Sequence, residues 1–530
     1  MCVNALPRTH GRSARKVQSA LQPRPSGRPR LPIPNPAPGL AFIWRLSPPF
    51  SRPIRYRIAP VDCIDLSPDE YKRLAEQILE IATRFLRDLD SKRIAPEQAG
   101  AALERFFHSL PPESGLGAQA VGEMHDIVRH SRAQNGRFFG YVLGSGDPAA
   151  AAADILCSVL NQNATAWRSS PAAITIERTV VGWLARAIGC AEFQGTLTGG
   201  GSSANLMALA TAREAKAPAN ERGAGRGKRV AVYASAEAHM SLRKAVALLG
   251  IGRENIRTIP VDASFRMIPE ELAKTMEADK AAGFAGIVVA TAGTVNTGAI
   301  DPLCEIAAIA ARFGAWFHID GAYGALAAIA RPEKFRGLDL ADSLSLDPHK
   351  WLYQPIDCGC LLYRDVTAAR RAFSGSGEYV RPLSDDPVES YAVFEESMEL
   401  SRRFRALKLW FSIRFHGLAK MRASIHKDLR HAQRLAEAIQ REAKLELRAP
   451  VELSAVCFRY LGKAKETEEQ LNELNAAILR LVIERGRVYL SNATLRSHFC
   501  LRACIVNHRT TDADIDAVTA EVLDVAKQLA

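Results

Sequence analysis

The first 60 residues contain no Asp or Glu. Eleven Lys and Arg fall in the same stretch, so nearly all of the formal charge of +12 lies there and residues 61–530 carry only +1. A balanced body excludes the broad basic face that nucleic acid would require. No uninterrupted apolar run approaches the ~20 residues of a bilayer-spanning helix. The alanine run at 149–153 is cut by Asp154, so no membrane partner is expected. Cys-x-x-Cys pairs are also absent among the ten cysteines. Cys358-x-Cys360 and Cys500-x-x-x-Cys504 match no zinc spacing, and no metal site is predicted. Their apolar settings read as buried, reduced thiols, which suits a cytoplasmic protein.

What is present divides the chain. Residues 1–60 hold twelve of the 28 prolines and read as a basic, Pro-rich disordered arm, because such a stretch builds neither helix nor core. Residues 61–135 read as a helical N-terminal segment. It opens at the capping pattern Ser67-Pro68-Asp69-Glu70, followed by Tyr71, Leu74, Ile78, Ile81 and Phe85 at helical spacing. Over 136–418, short β-branched runs alternate with helical stretches. Arg229–Ala234, Gly286–Ala290 and Ala315–Asp320 predict buried strands of a large, mostly parallel α/β sheet. Residues 419–530 read as a smaller C-terminal α/β domain. A long helix starts near 419, strands cover Leu453–Tyr460, Arg487–Ser491 and Phe499–Val506, and capped helices start at Thr467 and Thr511.

Four segments carry chemistry, each at a strand end or helix start. Leu197-Thr198-Gly199-Gly200-Gly201-Ser202-Ser203 leads into a helix. Its glycines let backbone approach a ligand, and the helix offers free N–H groups to a phosphate. No Gly-Lys-Ser/Thr follows, so it is not a P-loop; read alone it is a flexible turn. Asp320, in His318-Ile319-Asp320-Gly321-Ala322-Tyr323-Gly324, ends an apolar strand. A carboxylate there needs a partner, and a protonated pyridine nitrogen is suitable; a helix N-cap is the plainer reading. Lys350, in Asp347-Pro348-His349-Lys350-Trp351, is an amine whose burial would favour the neutral form needed for a Schiff base, or else an ordinary half-buried lysine. His239, in Ala234-Ser235-Ala236-Glu237-Ala238-His239, could stack on a flat ring or shuttle protons, or simply cap a helix. Together these are the parts that pyridoxal 5'-phosphate (PLP) requires.

The order and wording of these motifs resemble the PLP-dependent decarboxylases of the aromatic-amino-acid and glutamate decarboxylase group, from about residue 65 to the C-terminus. The most specific pieces are His318–Gly324, Asp347–Trp351, Asp357-Cys358 and Ser401-Arg402-Arg403-Phe404-Arg405-Ala406-Leu407-Lys408-Leu409-Trp410. The last is closest to the aromatic decarboxylases. The resemblance implies a fold-type I PLP enzyme, a homodimer with active sites at the subunit interface, that removes the carboxyl group of an L-amino acid, aromatic by preference. Carried over by position, Gly201, Ser202 and His349 would bind the phosphate and Lys350 would form the aldimine. Asp320 would pair with the pyridine nitrogen, Ala322 would lie against the ring and His239 would stack on it. Tyr379, in a glycine-rich stretch, falls where the family has a mobile-loop tyrosine that returns a proton.

Departures from the family pattern stand beside the match. Val295 replaces a threonine near the cofactor, leaving Thr294 as the available hydroxyl. Asp347 replaces a phosphate-binding asparagine. Gly144 lacks a hydroxyl expected near the substrate carboxylate, and Thr165 replaces a pocket phenylalanine. Two rival readings remain. One is transamination or oxidative deamination to an aldehyde on the same cofactor, with Arg502 as a candidate carboxylate clamp. The other is nucleic-acid binding through the basic arm, against which the complete constellation argues.

Overall fold

The large sheet is assembled largely from short apolar runs, as expected of strands covered on both faces. In the computed structural model, which describes residues 64–96, 100–107, 111–375, 385–463 and 466–529, seven strands build it. They are β1 (Gln194–Thr198), β2 (Val230–Ser235), β3 (Ile256–Ile259), β4 (Ala285–Thr291), β5 (Trp316–Asp320), β6 (Ser343–Leu346) and β7 (Gly359–Tyr363). β2, β5, β6 and β7 are buried at every residue. The order is β1-β7-β6-β5-β4-β2-β3. β7 runs antiparallel to both neighbours, and every other pairing is parallel. The carboxyl ends of β1, β2, β4, β5 and β6 therefore open on one edge of the sheet, where ligands of such sheets collect. Residues 1–63, including the expected arm, lie outside the described residues.

A second, antiparallel sheet follows: β8 (Leu445–Leu447), β9 (Ala455–Tyr460), β10 (Ser491–Leu495) and β11 (His498–Cys504), in the order β10-β11-β9-β8. Helices Glu468–Arg485 and Asp512–Leu529 cover it with a separate apolar core that includes Phe458, Leu501, Ile478 and Val522. The first of these helices is bounded as its sequence dictates. Thr467 and Gln470 form a capping box, and Gly486 closes the end at φ 65°.

Two boundaries differ from expectation. The helix expected near 419 begins at Ala406 and runs to Arg441, broken at Gly417 (φ 75°, ψ 152°); its second half starts where the apolar stripe predicted. Arg487–Leu490 does not join the sheet. Its backbone pairs with Arg137–Phe139 instead: Tyr489 N–H donates to the Arg137 carbonyl, and the Tyr489 carbonyl accepts from Phe139 N–H. Stacking of Phe138 on Tyr489 at 5.0 Å explains the choice, and the strand begins only at Ser491.

Candidate active site

A cavity of about 340 Å³ opens at the shared strand edge, lined by the loops that leave β1, β2, β4, β5 and β6. Gly199–Ser203 form one wall. Gly200 adopts φ 132°, ψ 174°, a conformation open to glycine alone, and caps the helix Gly201–Lys216. At Gly201 an added Cβ would lie 2.7 Å from the Cβ of Ala322 and 2.9 Å from Oδ2 of Asp347. The loop thus presents bare backbone and a helix N-terminus to the cavity, which fits a phosphate group.

This loop is braced from behind by the Ser401–Trp410 motif. Arg402, fully buried, donates to Glu177 Oε1 at 2.6 Å, to Thr196 Oγ1 and to the Leu197 carbonyl at 2.8 Å. Arg405 pairs with Asp357 at 2.8 Å and with Glu399 at 2.8 Å. Lys408, also fully buried, reaches Asp154 at 3.3 Å. The motif holds the end of β1, and hence the cradle, from outside the cavity.

Asp320, Lys350, His239, His349 and Ala322 all line the cavity, together with Ser202 and Gly201. Asp320 accepts from Asn205 Nδ2 at 2.8 Å and from the Ala322 N–H and Ser345 Oγ at 3.2 Å each. Three donors hold its carboxylate as an acceptor, suited to a protonated ring nitrogen. Lys350 Nζ stands 2.9 Å from Asp347 Oδ2. His349 Nδ1 accepts from Cys358 N–H, and burial pushes its pKa below the ordinary value. His239 does cap a helix: it is the N-cap of Met240–Leu248, its Nδ1 accepting from Ser241 N–H at 3.2 Å. It also faces the cavity, so the structural and functional readings coexist.

One expected site residue, Thr294, is corrected, and Gly144, Thr165 and Arg502 are placed. Thr294 is fully buried, with its hydroxyl 2.8 Å from that of Thr297 and accepting from Ala299 N–H. It turns into its own loop, and Thr291 and Val295 line the cavity instead. At Gly144 the surrounding backbone leaves no room for a side chain. A Cβ there would sit 2.6 Å from the carbonyl oxygens of both His349 and Lys350. Thr165 is buried beside Phe394, away from the cavity lining. Arg502 donates to the carbonyls of Val295, Asn296 and Tyr141 and to Ser491 Oγ, so it fastens the loop that carries Val295. Tyr379 lies outside the described residues. The sequence reading passed over Asn205 and Thr291. A buried Asn inside an apolar helix was the available signal, since such an amide requires partners.

The pyridoxal-dependent decarboxylase conserved domain matches residues 118–461. The chain is 31% identical over 476 residues to an aromatic-L-amino-acid decarboxylase of Bacillus atrophaeus, covering 88% of this chain and 97% of that one. It is 30% identical to a phenylacetaldehyde synthase of Petunia hybrida, covering 83% and 91%. The crystal structure of Oryza sativa TDC with PLP and tryptamine superposes with a TM-score of 0.82 at 28% identity, over 88% of this chain and 99% of that one.

Proposed function

The chain belongs to the pyridoxal-dependent decarboxylase family, and on that premise we propose that it converts an aromatic L-amino acid to the amine and CO2, with PLP held by Lys350. The observation that carries this is the convergence of Lys350, Asp320, His239 and the Gly199–Ser203 cradle on one cavity. The named activities of relatives covered over most of their length support an aromatic substrate.

When bound, the cofactor supplies an electron sink conjugated to the substrate's α-carbon. Gly201, Ser202 and His349 would hold its phosphate group, and Asp320 would keep a proton on its ring nitrogen. His239 and Ala322 would pack against its ring. Lys350 would be the amine that attaches it. Ile356, 63% exposed at the cavity mouth, limits the space for the side chain. Tyr379 returns a proton to the α-carbon, closing the balance of amino acid plus proton to amine plus CO2.

A homodimer is part of this reading. Helix Pro148–Leu160 leaves Ile155, Leu156, Val159 and Leu160 between 41% and 55% exposed, an apolar stripe that a second copy would cover. Among the described residues no helix is long and apolar enough to cross a membrane. The eight described cysteines are free thiols, which supports a cytoplasmic location.

The phenylacetaldehyde synthase relative favours a second reading. In it the α-carbon is oxidised by O2 and water supplies the aldehyde oxygen, so that amino acid, O2 and H2O give aldehyde, ammonia, H2O2 and CO2. One assay separates the two: amine, CO2, aldehyde and H2O2 are measured across aromatic, acidic and basic L-amino acids. Stoichiometric amine and CO2 from aromatic substrates supports decarboxylation. Aldehyde with matching H2O2 replaces it by the second reading, and CO2 release confined to acidic substrates refutes the aromatic assignment.

A further inference from the structure

We propose that Asn205 is a positioning residue whose single side-chain amide holds the carboxylate of Asp320 and, through the Ser241 hydroxyl, reinforces the tautomer of His239, as the junction of a one-way hydrogen-bond chain. The inference deepens the functional reading above and rests on it for the roles of those two residues.

Asn205 sits one turn into the helix Gly201–Lys216, 2% exposed and facing the cavity. Its Nδ2 lies 2.8 Å from Asp320 Oδ2 and 3.2 Å from Ser241 Oγ, and its Oδ1 lies 3.1 Å from His318 Nε2. The orientation of the amide follows from charge. Turned over, it would set a carbonyl oxygen against the Asp320 carboxylate and leave two buried donors misplaced. With Oδ1 facing His318, Nε2 of that ring must donate. Burial pushes the pKa of His318 down to about 4, so the ring is neutral and Nδ1 is an acceptor. Ser343 Oγ, 2.9 Å from Nδ1, then donates to it and itself accepts from Trp316 Nε1 at 2.9 Å. The Ser343 carbonyl, 3.1 Å from the same Nδ1, is a neighbour that shares no proton. Donors therefore run in one direction from Trp316 through Ser343, His318 and Asn205 to Asp320.

The second N–H of the amide opens a branch. Ser241 Oγ accepts it, leaving its own proton for His239 Nδ1 at 2.8 Å. The same Nδ1 already accepts from Ser241 N–H, so the neutral ring carries its proton on Nε2. Charged groups facing His239 are Asp320, Asp347, Lys350 and Lys244. Their signs oppose one another, and burial pushes the pKa of His239 below its ordinary value. Every polar hydrogen of the Asn205 amide is used, one for each residue it orients.

The test compares Asn205→Ala and Ser241→Ala with the wild-type holoenzyme, with circular dichroism checking the fold. Three quantities are read: PLP affinity of the cofactor-free protein by absorbance titration, the visible spectrum of bound cofactor against pH, and kcat against pH. Asn205→Ala removes a charge-assisted bond to Asp320, so PLP affinity is expected to fall about tenfold to a hundredfold and the spectral pH dependence to change. Ser241→Ala cuts only the His239 branch. It is expected to keep affinity within about threefold and to move the acid limb of kcat upward in pH, because a donor no longer points at Nδ1. If Asn205→Ala binds PLP with wild-type affinity and an unchanged spectrum, the proposal is wrong. It is equally wrong if Ser241→Ala leaves the acid limb in place. Should Asn205→Ala not fold, the Ser241→Ala profile alone decides. Wild-type protein that binds PLP yet decarboxylates no amino acid would refute the functional reading instead, and the affinity comparison would still stand.

Discussion

The carboxylate of Asp347 stands 2.9 Å from the amine of Lys350, and the same Oδ2 lies 2.9 Å from where a Cβ on Gly201 would be. One buried anion thus touches both Lys350 and the Gly199–Ser203 loop. Its other oxygen, Oδ1, has no hydrogen-bond partner among the described residues, and His349 Nε2 is 3.6 Å from Oδ2. In the cofactor-free protein the carboxylate neutralises Lys350; once a phosphate enters the cradle it becomes a like charge at close range. Two unit charges about 4 Å apart interact by about 4 kcal/mol at an effective dielectric near 20, which outweighs one hydrogen bond.

Asp347→Asn should therefore bind PLP more tightly. The substitution removes the counter-ion that favours the empty state and the repulsion that disfavours the loaded one, so both effects act in the same direction. A fall in the dissociation constant of about tenfold or more is expected. It is measured by absorbance titration of cofactor-free protein. Equal or weaker binding would mean that the carboxylate is compensated within the cradle.

Breaking the brace behind the cradle should act at a distance. Arg402 and Glu177 are both buried, at 0% and 2% side-chain exposure, and a lone charge left by removing one partner costs about 3–5 kcal/mol. Arg402→Met is expected to lower the urea midpoint and weaken PLP binding, because the Leu197 carbonyl before the glycines loses its donor. Glu177→Gln combined with Arg402→Met should recover part of the stability without recovering the affinity. A double variant no more stable than Arg402→Met would show that the lost hydrogen bonds, and not the stranded charge, set the cost.

Much of this arrangement was legible before any coordinates. β2, β4 and β5 could be read because strands buried on both faces are mostly apolar. Asp320 and Lys350 could be read because an ionisable group at the end of such a strand is costly without a purpose. The direction in which a loop hydroxyl turns leaves no trace in composition or period. Thr294 and Thr291 were thus interchangeable on paper, and only the Thr297 hydroxyl decides between them. Tyr489 lies in a strand-like run, but its backbone pairs with a segment some 350 residues earlier, a partnership that local pattern cannot reveal. Asn205 was missed for a related reason: its three partners come from two distant segments of chain, β5 and the start of the helix Met240–Leu248.

Acid should destabilise the protein partly through His508, whose pKa burial pushes down to about 4 from 6.5. Its folded-state value is depressed, so its contribution is full above pH 6.5 and is lost as pH falls toward 4, where the unfolded chain takes up a proton that the folded one refuses. His318 acts in the same sense. Asp301 and Asp428, raised to about 6 and about 7 by burial, act in the opposite sense, so the total slope is not diagnostic. The difference between wild type and His508→Gln is. Relative to wild type, the variant should gain about 1.4 kcal/mol per pH unit between 6.5 and 4, read from urea midpoints across that range. A constant difference would show that His508 titrates normally.

Restoring the hydroxyl that the resemblance led one to expect at residue 144 should harm the enzyme. A Cβ on Gly144 falls 2.6 Å from the carbonyl oxygens of His349 and Lys350 and 2.9 Å from the Cα of Tyr353, all backbone atoms that no rotamer change can clear. The Gly144 N–H also donates to the His349 carbonyl at 3.0 Å, so the two segments are locked face to face. Relief must come from moving the turn that carries Lys350, and overpacking of this kind costs about 1–3 kcal/mol. Gly144→Ser is expected to lower kcat and the visible absorbance of bound cofactor together, and Gly144→Ala should do the same although it adds no hydroxyl. That pairing separates the two explanations. If serine raised activity while alanine abolished it, the hydroxyl would be reaching substrate, and the close approach of Gly144 to the Lys350 backbone would not be what fixes glycine here.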